Sequence, residues 1–353
     1  MQSKNINSSF ITDNISENTS ARGNKELSHI KSKYSIALIV RVLRMLIKQK
    51  KEAHEIIVSS LMREINDVYI ISTSTDTLLN LFPEEEYLYI GSKYKDLKDG
   101  FGKQKFMNSN AVYYGMFRND YRVDMCRYIN TKQEYEYKGY VKKNFADGYG
   151  ITENYRLGHS YEGEHMLNKK EGYGIETYSD GSYYQGEYKN GHKEGIGIYK
   201  WSDGSFYEGE WNGDKISGYG KYKFTMGKVY IGHWENNKMN GFGEFINPNE
   251  RVYIGHYYDD KRQGFGIMYW YTERKAYIGY WCNNKQNGKG KYYFKEKESF
   301  AFFSNGQKEK KYKSQEEFES LLDEEEIKYL SIYRLHLDEI ESYINNHSLV
   351  NKI

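Results

Sequence analysis

Apolar and polar side chains alternate at period two through most of the chain. In Tyr184-Gln185-Gly186-Glu187-Tyr188 the first, third and fifth residues share a face. In the next segment Gly195, Gly197, Tyr199 and Trp201 do the same. Asn190-Gly191 lies between the two, and Asp180-Gly181, Asp203-Gly204 and Asn212-Gly213 repeat the device. Such dipeptides between alternating runs mark hairpin turns. The pattern predicts a meander of antiparallel hairpins.

The pattern repeats. Tyr-x-Gly begins at Tyr89, Tyr113, Tyr137, Tyr161, Tyr184, Tyr207, Tyr230, Tyr253 and Tyr277, a step that is nearly constant along the chain. Gly-x-Gly trails it at a fixed offset, as Gly195 trails Tyr184, and begins at Gly100, Gly148, Gly172, Gly195, Gly218, Gly241, Gly264 and Gly288. The unit at Tyr113 lacks it and reads Arg122-Val123-Asp124-Met125-Cys126. Four residues after the lead tyrosine stand Phe117, Tyr188, Trp211, Trp234, Tyr257 and Trp281. Four residues after the first glycine of Gly-x-Gly stand Tyr199, Tyr222, Phe245 and Tyr292. A strand that keeps its glycines needs close approach, and a ring lying over bare backbone supplies the missing contact. The expectation is a set of stacked ring ladders on one face, in which Gly218→Val would displace an overlying ring. At ~9.6 Å per two-stranded unit, nine units make a rod of roughly 85 Å.

The ends follow another period. Ile36, Ile39, Val40, Leu43, Leu46 and Ile47 recur at helical spacing, with Arg41, Arg44 and Lys48 on another face. Residues 29–65 carry eight basic and three acidic side chains, net +5. Two readings stand: a basic helix on an anionic membrane surface, touching it through Arg41, Arg44 and Lys48, or a cap on the first strand. Ser314-x-x-Glu317 is a capping box opening a C-terminal helix, followed by Leu330, Tyr333, Leu337, Ile340 and Ile344 at 3-4-3-4 spacing. That segment, 314–353, is net −7 and reads as a dimerisation or partner helix, or as a cap on the last strand or on the basic helix. The expected organisation is 1–30 disordered, 31–86 helical flank and N-terminal cap, 87–305 repeat array, and 306–353 acidic C-terminal helix or cap.

Composition sharpens this. Of 353 residues, 38 are tyrosine, 33 glycine and only two proline, so the glycine belongs to structure rather than to a linker. Net charge is +2, which argues against nucleic acid as a partner. Mean hydropathy is −0.89 and no apolar run approaches a membrane span. No secretory pattern opens the chain, and two cysteines make no disulfide framework, so the expected place is the cytoplasm.

Searching for chemistry returns little. Gly-x-Gly lies inside strands and never opens a helix, so it is no dinucleotide loop. None of the nine histidines sits in a metal motif with cysteine, and no nucleophile elbow or Walker loop appears. The reading is an enzyme-free chain with no catalytic residues, cofactor or metal.

Tyr-x-Gly and a trailing Gly-x-Gly, repeated at the step from Tyr184 to Tyr207 to Tyr230, together resemble the MORN repeat. The resemblance covers 87–305, departs at the Tyr113 unit, and leaves Phe300-Ala301-Phe302 as a degenerate tenth unit. It implies an all-β repeat array, a single elongated antiparallel meander of about nine hairpin repeats with helical flanks at both ends. It also implies a non-enzymatic scaffold or adaptor for protein partners, cytoskeletal or axonemal, near a membrane. The Asn-, Lys- and Ile-rich flanks suggest a protist. The alternatives are a peripheral protein on anionic phospholipid, or a regulatory subunit linked to phosphoinositide signalling. A homodimer through the C-terminal seam is a further expectation. The aromatic stripe reads either as ladder filling or as a groove, with Trp201, Trp211, Trp234, Trp270, Trp281, Tyr188 and Tyr257 as partner contacts.

Overall fold

The computed structural model describes residues 41–42, 44–53, 86–248, 250–294, 297–322 and 324. Twenty strands follow one another: β1 (Tyr87–Tyr94), β2 (Leu97–Phe106), β3 (Ala111–Arg118), β4 (Tyr121–Asn130), β5 (Tyr135–Lys142), β6 (Phe145–Asn154), β7 (His159–Met166), β8 (Lys169–Thr177), β9 (Tyr183–Lys189) and β10 (His192–Lys200). Then come β11 (Phe206–Asn212), β12 (Lys215–Lys223), β13 (Val229–Glu235), β14 (Lys238–Asn247), β15 (Arg251–Tyr258), β16 (Lys261–Trp270), β17 (Lys275–Cys282), β18 (Lys285–Phe294), β19 (Lys297–Ser304) and β20 (Gln307–Lys311). Each pairs antiparallel with its neighbours in sequence, giving one open sheet, the all-β repeat array expected.

The register places one glycine from most strands in a single row across the sheet. Gly186 faces Gly197, Gly197 faces Gly209, and Gly209 faces Gly220. The lead tyrosine of each unit lies over this row. A Cβ at Gly186 would meet the Tyr184 hydroxyl at 2.5 Å, and one at Gly174 would meet the Tyr161 ring at 2.5 Å. The hydroxyl then donates to the carbonyl three residues on: Tyr161 to Glu164 at 2.8 Å, Tyr184 to Glu187 at 3.0 Å, Tyr207 to Glu210 at 3.0 Å. All nine lead tyrosines make this bond. The phenol can therefore be buried without an orphaned hydroxyl.

The two glycines of Gly-x-Gly have different causes. The second lies under the ring. The first sits in a bulge where the register slips, between Glu194 and Gly197 for example, and takes a positive φ of +62° at Gly195 and +66° at Gly218. At Gly218 a Cβ would meet the Glu210 carboxylate, not a ring, which corrects the sequence-based reason for Gly218→Val.

The lead tyrosines meet the rings beside them edge to face rather than stacking. Tyr184 contacts Tyr188 and Trp211, both at 5.2 Å between centroids and at 86° and 83°. Tyr207 in turn contacts Trp211 and Trp234. The zigzag runs from Tyr137 through His165 and Tyr161 to Tyr277 and Phe303. Such geometry aligns the positive ring edge with the negative face.

Hairpin tips add a second tie between units. The last turn residue, Asp214 or Asn237, has φ of +67° or +69°. Its side chain accepts from the backbone N–H of Lys193 or Ile216 in the preceding unit, each at 2.8 Å.

The unit at Tyr113 is intact: β3 pairs with β4, Asp124 takes the left-handed bulge position at φ +59°, and Cys126 occupies the glycine row between Gly115 and Gly139. A tenth unit also forms, with Ala301 on the row opposite Gly290. Its second strand, β20, belongs to the stretch that sequence assigned to the C-terminal flank.

Residues 44–53 are helical and cross the reverse face of the sheet, with Ile47 buried. Arg44 Nε binds Glu208 Oε1 at 2.5 Å on β11, and Lys50 Nζ binds Glu187 Oε1 at 2.5 Å on β9. The described part of the helix therefore lies at mid-array, over β9–β11, rather than at β1. At the other end Ser314 caps a short helix, Gln315–Glu319, accepting from the Glu317 N–H at 3.2 Å as the capping box predicts. The expected disorder of 1–30 and the seam from Leu330 to Ile344 lie outside the described residues.

Candidate functional site

The sheet's ring face is the main candidate surface, and burial sorts its aromatics into two rows. Trp211, Trp234, Trp281, Tyr188 and Tyr257, five of the seven sequence-chosen contacts, are rungs of the zigzag and keep 3–7% exposure. The indole N–H of Trp211 donates to the Gly197 carbonyl at 3.2 Å, and that of Trp281 to Gly266 at 3.3 Å. Trp201 and Trp270 instead belong to a partly buried row that reaches solvent.

That outer row is continuous. Tyr178, Tyr199, Trp201, Tyr222, Phe224 and Phe245 follow one another at centroid distances of 5.9, 4.6, 5.0, 4.3 and 5.8 Å. Here the rings are stacked or tilted and partly exposed. The row arises because Tyr199, Tyr222 and Phe245 sit four residues beyond the bulge glycine, while Trp201 and Phe224 lie two residues further on the same face. Sequence reasoning marked the first set and placed Trp201 on the face of Tyr199, but did not extend the row to Tyr178 or Phe224. Cations rim the face: Lys193 Nζ stands 5.3 Å from the Tyr184 ring centroid, and Lys275 Nζ 4.4 Å from that of Trp270.

Towards β6–β8 the row turns polar. Thr152 and Glu176 replace the ring positions, and a cavity of about 400 Å³ opens, lined by Tyr135, Thr152, His159, His165, Lys170 and Glu176. Burial opposes ionisation of Glu176, but Lys170, the Tyr178 hydroxyl and Lys193 outweigh it and lower its pKa. Burial pushes the His165 pKa down to about 4, and its Nδ1 lies 3.2 Å from the Gly163 carbonyl oxygen. Glu176 thus has its partners in Lys170, Tyr178 and Lys193, and His165 has its own in the backbone. Among the described residues no cluster of His, Cys, Asp and Glu converges to hold a metal ion.

The three residues expected at a membrane divide in the same way. Arg44 is held by Glu208, while Arg41 and Lys48 are exposed, Lys48 standing 3.7 Å from Glu52 one helical turn on. No described helix is long and apolar enough to cross a membrane.

A single-sheet array of ring-covered hairpins is a repeat architecture. The MORN repeat model matches it at residues 89–111, 161–183, 184–206, 207–229, 230–250, 253–272 and 277–296, so the chain carries seven MORN repeats by sequence. The units opening at Tyr113 and Tyr137 are not matched, although their strands keep the register. No curated protein matches the chain. Solved structures with similarity include the SAS-4 (dCPAP) TCP domain of Drosophila melanogaster in complex with a proline-rich motif of Ana2 (dSTIL). It is 12% identical, covers 52% of this chain and all of that one, and has a TM-score of 0.31. The E1021V mutant of the TCP10 domain of Danio rerio CPAP is 10% identical, covers 61% of this chain and 90% of that one, with a TM-score of 0.22. Similarity at this level does not bear on function.

Proposed function

We propose that the protein is a non-enzymatic scaffold that binds protein partners along its ring face. The observation that carries this reading is the half-exposed row from Tyr178 to Phe245. Rigid rings with offset faces, rimmed by lysines, are the side chains that anchor protein interfaces at low entropic cost. A relay of repeats also holds such sites at fixed separation, as a cytoplasmic or cytoskeletal scaffold requires. The test is quantitative affinity capture with the wild-type chain and with Trp201→Ala/Tyr222→Ala. Loss of the same specific partners on mutation, with the melting temperature lowered only slightly, supports the reading. Identical partner sets would sink it.

A second reading is peripheral attachment to an anionic membrane. Exposed Arg41 and Lys48 favour it, since they stand outside the pairs that hold the helix to the sheet. At about 1 kcal/mol per basic residue near such a surface, these two alone bind weakly, so this mode needs release of Arg44 and Lys50 as well.

A further inference from the structure

The ring face is cationic as well as aromatic. Outside the bulge positions, the described strand residues that share the lead tyrosines' face include one carboxylate, Glu176, and it is already met by Lys170 and Lys193. Lys98, Arg251, Arg262 and Lys275 add further positive charge on that face.

Two of these cations share a cavity of about 170 Å³ at the Phe245 end of the exposed row, lined by Phe245, Arg251, Tyr253, Tyr257, Arg262 and Met268. Arg251 opens β15, while Arg262 lies towards the other end of the hairpin, opposite Tyr257. The two long side chains nevertheless feel each other. Burial lowers the Arg262 pKa, Tyr257 and Tyr253 oppose this, and the Arg251 charge lowers it further.

The cavity leaves this charge unbalanced. Arg262 lies over the Trp281 ring, 4.5 Å from its centroid, and donates to Asn284: Nε to Oδ1 at 3.3 Å and Nη2 to the backbone oxygen at 2.9 Å. Both acceptors are neutral, and among the described residues Arg262 forms no ion pair. Arg251 stands 3.3 Å from Glu250, with both side chains about half exposed, where water weakens such a pair. Asp260 also lines the cavity, but its Oδ1 is engaged in a hairpin tie, accepting from the Met239 N–H at 2.7 Å.

Chemistry selects the ligand. A carboxylate between two guanidinium groups relieves their repulsion and accepts forked N–H bonds from each. The space is well under the roughly 300–1,000 Å³ of small-molecule sites, so it suits one side chain of a larger partner. Phe245 joins the cavity to the row, so a segment lying on the rings presents its next side chain to the arginines. Arg262 is half-buried among rings, within reach of an inserted side chain more than of a flat layer of headgroups.

We propose that the ring face recognises an acidic segment of a partner protein, with one Asp or Glu side chain held between Arg251 and Arg262 and apolar side chains on the row from Tyr178 to Phe245. This rests on the scaffold reading and adds the partner's chemistry to it.

The test is selection of a random peptide library on the full-length chain, followed by fluorescence anisotropy with the enriched peptides. The expected result is enrichment of peptides that combine Asp or Glu with apolar residues, and a dissociation constant raised at least tenfold by Arg251→Glu. That side chain is half exposed, so the melting temperature should stay near wild type. Arg262→Gln should weaken binding to a similar degree. Neutral or basic peptides lost only in Trp201→Ala/Tyr222→Ala would overturn the arginine clamp and leave the scaffold reading standing. Acidic peptides that bind Arg251→Glu as they bind wild type would overturn it, and so would an absence of enriched peptides. Phosphatidylserine vesicles that bind in place of peptides, and are released by Arg251→Glu, would assign the cavity to a membrane and overturn it too.

Discussion

Gly218 and Gly220 stand two residues apart on β12 and are glycine for different reasons. Gly218 holds φ at +66° in the bulge, while Gly220 lies directly beneath the Tyr207 ring and hydroxyl. Gly218→Ala should cost about 1–2 kcal/mol, the penalty of a left-handed L-residue, with the Glu210 carboxylate free to swing aside. Gly220→Ala should cost about 3 kcal/mol, because the ring must lift and its bond to the Glu210 carbonyl goes with it. Denaturant melts of both variants check this. In Tyr207→Ala, adding Gly220→Ala should cost almost nothing further, and full additivity would remove the clamp from the account.

Gly191 is a missing latch. The equivalent residues Asp214 and Asn237 accept from a backbone N–H of the preceding unit, but Gly191 has no side chain to do so at Lys170. Nothing stands within 4 Å of a Cβ there. Asparagine tolerates the left-handed region, so Gly191→Asn should stabilise by about 0.5–1 kcal/mol. A melting temperature equal to or below wild type would count against the latch.

Alkaline pH should unfold the array abruptly. Burial raises the pKa of Tyr161, Tyr184, Tyr207, Tyr230 and Tyr277 well above the ordinary 10.0. Below pH 10 both folded and unfolded chains keep these phenols protonated, and stability is intact. Above it the unfolded chain loses protons that the folded one keeps, so each ring removes about 1.4 kcal/mol per pH unit. Tyrosinate absorbance should therefore rise together with loss of the strand signal. A gradual rise over an intact sheet would contradict the burial.

His165 should weaken the fold in mild acid. Its folded pKa of about 4 lies below the ordinary 6.5 because it is buried between Tyr137 and Tyr161. Stability is complete above pH 6.5 and declines as pH falls towards 4, because the unfolded chain binds the proton first. Phenylalanine keeps the edge-to-face contacts without titrating. His165→Phe should gain about 2 kcal/mol on wild type between pH 7.5 and pH 5, measured by parallel melts. An unchanged gap would show that His165 is protonated without cost.

Two carboxylates should control the N-terminal helix. In Glu187→Gln/Glu208→Gln, hydrogen exchange in 41–53 should accelerate at least tenfold while the sheet melts as before. Liposomes of anionic lipid should then bind more protein at low salt than they bind wild type. Binding equal to wild type would remove Arg44 and Lys50 from any membrane role.

How much could be read from the chain alone depends on period. Tyr184-x-Gly186 and Asn190-Gly191 announce strand and turn because alternation and left-handed turn residues act over short stretches of chain. Repetition at the fixed step from Tyr184 to Tyr207 to Tyr230 carries that local answer along the whole array. The ring zigzag was partly legible for the same reason, since every unit presents Tyr-x-Gly and most carry an aromatic four residues on.

Tertiary structure decided the rest. Whether a ring is a buried rung like Trp211 or a half-exposed one like Trp201 depends on cross-strand register, which sets neighbours that are distant in sequence. The place where the basic helix docks depends on Glu187 and Glu208 falling on one face two strands apart. Local pattern determined the unit. The faces, and what lies across them, came from how the units align, because burial belongs to the assembled sheet and to no single strand.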